Sequence, residues 1–131
     1  MTCRVYLAGL INKASDAEAK DWRKLATEML VGRGWKVLDP MTRDYRGREM
    51  EPGIATAIVE GDKQDIDSCD YLLVNALRPS WGTAMEIMYA WERDKTVVVV
   101  HPPDPSPWLV YHSSARFSTI EEAIQWLTAP Q

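Results

Sequence analysis

The sequence predicts an α/β domain: a doubly wound, mostly parallel sheet of five strands between two helical layers. Three observations predict it. Short apolar runs alternate with amphipathic helical segments along the whole chain, the pattern of repeated βαβ units. The run Asp70 to Asn75 is almost continuously apolar and bounded by polar residues, as a strand covered on both faces must be. The chain has 131 residues with 46% apolar content, which fits one domain, residues 1–131, with a real core.

Arg4 to Ala8 is the first strand, and Gly9-Leu10-Ile11-Asn12 is the tight turn after it. Ser15 begins the first helix, with Glu18 completing a capping box. Trp22, Leu25, Ala26, Met29 and Leu30 recur at helical spacing as its buried stripe. Gly32 and Gly34 end it, and Trp35 to Leu38 is the second strand. Asp39 to Gly53 is a loop of about fifteen residues carrying Arg43, Arg46 and Arg48, either a functional lid or a solvated loop. Ile54 to Asp67 is the second helix. There Ile58, Asp62 and Ile66 share one face, a costly place for a carboxylate unless it is paired or used.

The third strand runs from Asp70 to Asn75. The loop Arg78-Pro79-Ser80-Trp81-Gly82-Thr83 then brings hydroxyl groups and a glycine to a helix N-terminus, a suitable place for an anion. The third helix spans Thr83 to Asp94 and buries Ala84, Ile87, Met88 and Trp91. Lys95 to Val100 is the fourth strand, broken by His101-Pro102-Pro103. A proline-rich loop reaches about Val110, and Ala115 to Phe117 is a short fifth strand. Thr119 with Glu122 caps the final helix, which buries Ile120, Ala123, Ile124 and Leu127.

Composition excludes several functions. A net charge of -4 gives no basis for binding a nucleic acid polymer or an anionic membrane. No apolar run approaches about 18 residues and no leader opens the chain, so a cytoplasmic protein is expected. Cys3 and Cys69 are too few for a disulfide framework and lack metal-ligand spacing; buried free thiols are expected. His101 and His112 have no metal partner set, and no metal is expected. Six tryptophans are many for this length, and some can cover a ligand or a subunit interface.

Ligands of doubly wound sheets bind at the carboxyl ends of the strands, at the switch point of strand order. With a flavodoxin-like order, 2-1-3-4-5, that point lies between the first and third strands. The Gly9 turn and the Ser80 loop then face one crevice, with Glu86 in the first turn of the helix beyond. Glu86 reads either as the acidic partner of a Thr83 capping box or as a carboxylate kept ionised by the helix end and used as a nucleophile. There is no GxGxxG, no Walker A sequence and no GxSxG elbow.

The chain resembles the nucleoside 2-deoxyribosyltransferase superfamily, through Val5-Tyr6-Leu7-Ala8-Gly9, through Asp39-Pro40-Met41-Thr42-Arg43-Asp44-Tyr45-Arg46-Gly47, and most strongly from Asp62 to Ala90. It looks closest to the members that cleave nucleoside 5′-monophosphates. The resemblance implies that Glu86, in Gly82-Thr83-Ala84-Met85-Glu86, is the nucleophile, that Asp62 is the general acid/base, and that Tyr6 stands beside the nucleophile. It also implies cleavage of an N-glycosidic bond without a cofactor. Ser80 stands where relatives acting on free nucleosides carry Asp. A hydroxyl donates to a 5′-phosphate that a carboxylate repels. The expected substrate-binding set is Gly9, Leu10, Ile11, Asn12, Arg43, Arg46, Arg48, Asn75, Ser80, Gly82, Ser113 and Ser114. Ser113 and Ser114 are expected to come from a neighbour in a homodimer or higher oligomer with shared sites. The alternatives are transfer between free deoxynucleosides and a non-catalytic nucleotide-binding module.

Overall fold

Five strands pair in the order β2-β1-β3-β4-β5 in the computed structural model, which describes residues 2–130. They are β1 (Arg4–Gly9), β2 (Lys36–Leu38), β3 (Tyr71–Asn75), β4 (Thr96–Val100) and β5 (Ala115–Phe117). Every pairing is parallel, so each connection is a crossover containing helix. The helices are α1 (Trp22–Val31), entered through a π-helical turn at Ala17–Asp21, α2 (Ile54–Asp67), α3 (Trp81–Trp91), α4 (Pro107–Tyr111) and α5 (Ile120–Thr128). A 3-10 turn, Pro40–Arg43, follows β2. The expected fold class and strand order are those observed.

Strand side chains alternate between two cores, as a period of two requires. Val5, Leu7, Leu73, Val98 and Val100 meet Ala26 and Leu30 of α1 and Ala123, Ile124 and Leu127 of α5. Tyr6, Ala8, Leu72, Val74, Val97 and Val99 face the opposite layer, meeting Ile66 of α2 and Ile87 and Ala90 of α3. Each such aliphatic side chain contributes about 1.5–3 kcal/mol on burial. This alternation turns Tyr6, an otherwise apolar-strand residue, toward α3.

Local capping sets the helix starts. Ser15 and Glu18 exchange both bonds of a capping box, at 3.1 and 3.3 Å, and the Thr119 hydroxyl accepts from the Glu122 amide. The third helix begins two residues earlier than the sequence predicts. Ser80, in extended backbone, is its N-cap and accepts from the Thr83 amide at 3.3 Å, so Thr83 lies inside the helix and the Thr83–Glu86 capping box does not form. The proline-rich loop contains α4, capped by Ser106 with Pro107 in the first turn.

Burial also departs from the expected stripes. In α1 the buried residues are Arg23, Ala26 and Leu30, while Leu25 is exposed. In α3 they are Thr83, Ile87 and Ala90, and Ala84 faces out, because the earlier start rotates the core face. In α2 only Ile66 is buried. Cys69 is buried and Cys3 half-buried, both as free thiols. Among the described residues no helix is long and apolar enough to cross a membrane.

Candidate active site

Gly9 and Asn75 end β1 and β3 side by side in register. At this edge a cavity of about 430 Å³ is walled by the turn after β1, the Pro40–Arg46 segment, α2 and the first two turns of α3. The volume lies within the usual range of small-ligand pockets. Ile58, Asp62 and Ile66 all line it, so the row of α2 that carries Asp62 faces the cavity, with Ile66 also belonging to the core.

Glu86 reaches the cavity from the second turn of α3, and Tyr6, buried in β1, donates its hydroxyl to Glu86 Oε2. Asp62, from α2, lines the same cavity, and each of the two carboxyl groups bears on the other's titration. Burial pushes the Glu86 carboxyl up to about 8; the Tyr6 hydrogen bond opposes this and the neighbouring Asp62 adds to it. Asp62 is also raised by burial, but the Arg43 guanidinium pulls it back down. Both carboxyl groups are therefore raised, chiefly by burial, and they titrate as a coupled pair. This corrects the expectation of a Glu86 kept ionised by a helix end: it is not in the first turn, and desolvation dominates. Burial and the Glu86 charge raise the Tyr6 hydroxyl, which stays protonated as a donor.

The other expected residues divide. Gly9, Ile11, Asn12, Arg43, Arg46, Ser80 and Gly82 line the cavity. Leu10 does not, although it belongs to the same turn. Asn75 closes the end of β3, its Oδ1 accepting from the Leu77 amide at 3.1 Å, and is not part of the wall. Arg48 is outside, pairing with Glu51 on an exposed turn. Ser113 and Ser114 lie by β5, where Ser114 Oγ accepts from the Val97 amide and Ser113 donates to the Val110 carbonyl; within one chain they do not meet the cavity. The arginines on the wall already have anionic partners. Arg43 binds Asp62 and Asp65, and Arg46 binds Asp44 and Asp16.

Arg23 is the main residue that sequence reasoning missed. It is 1% exposed and donates to the Leu7 carbonyl at 2.7 Å, the Gly9 carbonyl at 3.0 Å and Asp39 at 2.9 Å. It thus ties the carboxyl end of β1 to the start of the loop. Its spacing of three and seven residues from Ala26 and Leu30 was the available signal. Thr83 was read as a cap; it lines the cavity, and its buried hydroxyl has no partner among the described residues. Gly9, which lines the cavity, also has a steric reason to be glycine. A Cβ there would stand 2.7 Å from Trp22 Cζ2. Among the described residues no cluster of His, Cys, Asp and Glu is arranged to hold a metal ion.

Comparison with known proteins bears on this site. No curated protein matches the chain. Similar solved structures include the CMP N-glycosidase BcmB of Clostridium botulinum, with 21% identity over 95% of this chain and 97% of that one, TM-score 0.64. A 2-deoxyribosyltransferase of Bacillus psychrosaccharolyticus has 20% identity over 98% and 93%, TM-score 0.68. A conserved protein of Enterococcus faecalis V583 has 15% identity over 95% and 96%, TM-score 0.74. At these identities the likeness establishes the fold. The family model for nucleoside 2-deoxyribosyltransferase matches residues 5–117, from β1 to the end of β5 and across Tyr6, Asp62 and Glu86. With that span matched, the chain belongs to the nucleoside 2-deoxyribosyltransferase family, enzymes that act on nucleotides or nucleosides.

Proposed function

We propose that this enzyme cleaves the N-glycosidic bond of a (deoxy)nucleoside 5′-monophosphate through a covalent glycosyl intermediate on Glu86. The observation that carries the reading is the meeting of Asp62 and Glu86, from two different helices, on the wall of one cavity. Two carboxyl groups flanking a sugar carbon are what a retaining glycosidase uses. Glu86 attacks C1′ as the bond to the base breaks, and Asp62 delivers a proton to the leaving nitrogen. Asp62, then ionised, takes a proton from the water that releases the sugar phosphate. A second base entering before water gives exchange instead. Tyr6 holds Glu86 in line.

The 5′-phosphate reading rests on the cavity wall near Ser80. That wall carries a hydroxyl at a helix N-terminus, with Gly82 beside it and Ile11 and Asn12 opposite, and no carboxylate at position 80. Helix N-termini favour anions. Both arginines on this wall are already paired with carboxylates, Arg43 with Asp62 and Asp65 and Arg46 with Asp44 and Asp16, so the helix N-terminus at Ser80 carries the phosphate reading.

The test is incubation with nucleosides and their 5′-monophosphates, followed by chromatography for free base, with and without a second base. Monophosphates should be cleaved faster. Preference for free nucleosides with exchange would favour the deoxyribosyltransferase alternative. Binding without any base release would favour the non-catalytic module.

The working unit in this reading is a homodimer. Trp81 and Met85, one turn apart on α3, are 86% and 66% exposed, and Trp108 and Tyr111 on α4 are 70% and 71% exposed. Aromatic surface of this kind suits a subunit interface. A neighbour's α4–β5 segment seated there brings its own Ser113 and Ser114 toward the cavity. Sedimentation should show a dimer at assay concentration; an active monomer would contradict it.

A further inference from the structure

Arg43, at the end of the 3-10 turn, reaches across to α2. Its Nη2 donates to Asp62 Oδ1 at 3.1 Å and to Asp65 Oδ2 at 2.9 Å. Between those two attachments it rests on Gly61, where a Cβ would stand 3.1 Å from Arg43 Nε and 3.4 Å from its Cζ. Gly61 lies inside a helix, where glycine is unfavourable and has a reason to be there only if something needs the space. Here that something is a guanidinium.

We propose that Arg43 is a positioning residue for Asp62: seated on Gly61 and anchored by Asp65, it holds the Asp62 carboxyl beside Glu86 and keeps its negative charge in place. The proposal rests on the catalytic pair assigned above, and goes beyond it by removing Arg43 from the phosphate site. It also fixes an order of proton movement. In the reacting state the pair carries one proton, which stands on Asp62 and leaves Glu86 ionised. Glu86 then forms its bond to C1′ while the C1′–N bond breaks and Asp62 gives the proton to the base nitrogen. Glu86 ends as an ester, Asp62 as a carboxylate, and the base leaves protonated. Arg43 sets how readily Asp62 accepts that proton.

The groups that bear on Asp62 are Arg43 from the 3-10 turn, Asp65 on its own helix, Glu86 from α3 and Tyr6 from β1. Lys63, Arg46 and Glu49 line the same cavity. Arg43 lowers Asp62 and Asp65 raises it, so removing either should move the pair in opposite directions.

The experiment is carboxyl carbon NMR titration of the free protein, paired with kcat and KM on the cleaved nucleotide. In Arg43→Gln the apparent midpoints of the Asp62–Glu86 pair should move to higher pH. Its kcat should fall about ten- to a hundredfold with KM little changed. In Asp65→Asn the midpoints should move to lower pH. Gly61→Ala should act like Arg43→Gln but more weakly, and Arg43→Lys should restore part of the loss. Unmoved midpoints in Arg43→Gln, or shifts of the same sign in Arg43→Gln and Asp65→Asn, would overturn the proposal. Should Arg43→Gln fail to fold, Asp65→Asn and Gly61→Ala read the same midpoints with opposite expected signs. The titration needs no substrate, so a wild type that cleaves nothing would overturn the catalytic reading separately.

Discussion

Tyr6 on β1 donates its hydroxyl to Glu86 on α3, joining two residues 80 positions apart in the chain. The bond works against the burial that raises Glu86. Tyr6→Phe keeps the buried ring and removes only the donor. The kcat/KM profile should move to higher pH, because Glu86 becomes harder to ionise. Turnover should drop about ten- to a hundredfold, the usual effect of losing one hydrogen bond to a charged group. A profile identical to wild type would separate Tyr6 from the chemistry.

Glu86→Gln should fold, since the amide oxygen still accepts from Tyr6, and should lose several orders of magnitude in turnover with the proposed nucleophile gone. It should also change the dependence of stability on pH. Burial raises Glu86 from 4.5 to about 8. An acid raised on folding gives stability that is fully present below its unfolded value and lost as pH rises through its folded value. Wild-type Tm should therefore fall relative to Glu86→Gln as pH increases from about 4.5 to about 8. Differential scanning fluorimetry across that window reads the gap, and a constant gap would contradict the assignment.

Ser80→Asp should preserve α3, because Asp caps helices as well as Ser. It places a negative charge on the cavity wall. The ratio of kcat/KM for a nucleoside 5′-monophosphate to that for the nucleoside should fall by at least about tenfold, as when one charge-assisted contact is lost. An unchanged ratio would show that the phosphate does not lie at Ser80.

Gly9→Ala should destabilise the fold through Trp22 rather than through the backbone. The added Cβ meets the indole at 2.7 Å, and overpacking of this kind costs about 1–3 kcal/mol. Urea unfolding should show a lower midpoint with an unchanged slope. A neutral substitution would mean that Trp22 moves aside freely.

Most of the strand order was legible because it rests on apolar runs that cannot be anything but interior. The Thr119–Glu122 cap was legible for a similar reason, being local in sequence. Asp62 stood out because its isoleucine neighbours at helical spacing made an unpaired carboxylate expensive. What was not legible depends on partners distant in the chain. Two hydroxyls, Ser80 and Thr83, both qualify as the cap of α3, and only the path of the chain after β3 selects Ser80. Arg23 has the spacing of a core residue, but its burial requires the carbonyls of Leu7 and Gly9 as acceptors. Arg43, Arg46 and Arg48 look alike in the loop. Their acceptors on α2, before α1 and within the loop itself give them three different occupations.

The helix carrying Asp62 turns Ile58 and Val59 to the cavity rather than to the sheet. Of α2 only Ile66 is buried, while Ile58 and Val59 wait on the cavity wall. A ligand in the cavity would give those side chains the neighbours that the sheet does not. Docking of the ligand and docking of the helix are therefore parts of one equilibrium. The amide protons of α2 should exchange with solvent well before those of β3 in the free enzyme, and the difference should narrow when the cavity is filled. Asp62 thus rides on an element whose order a ligand in the cavity would complete.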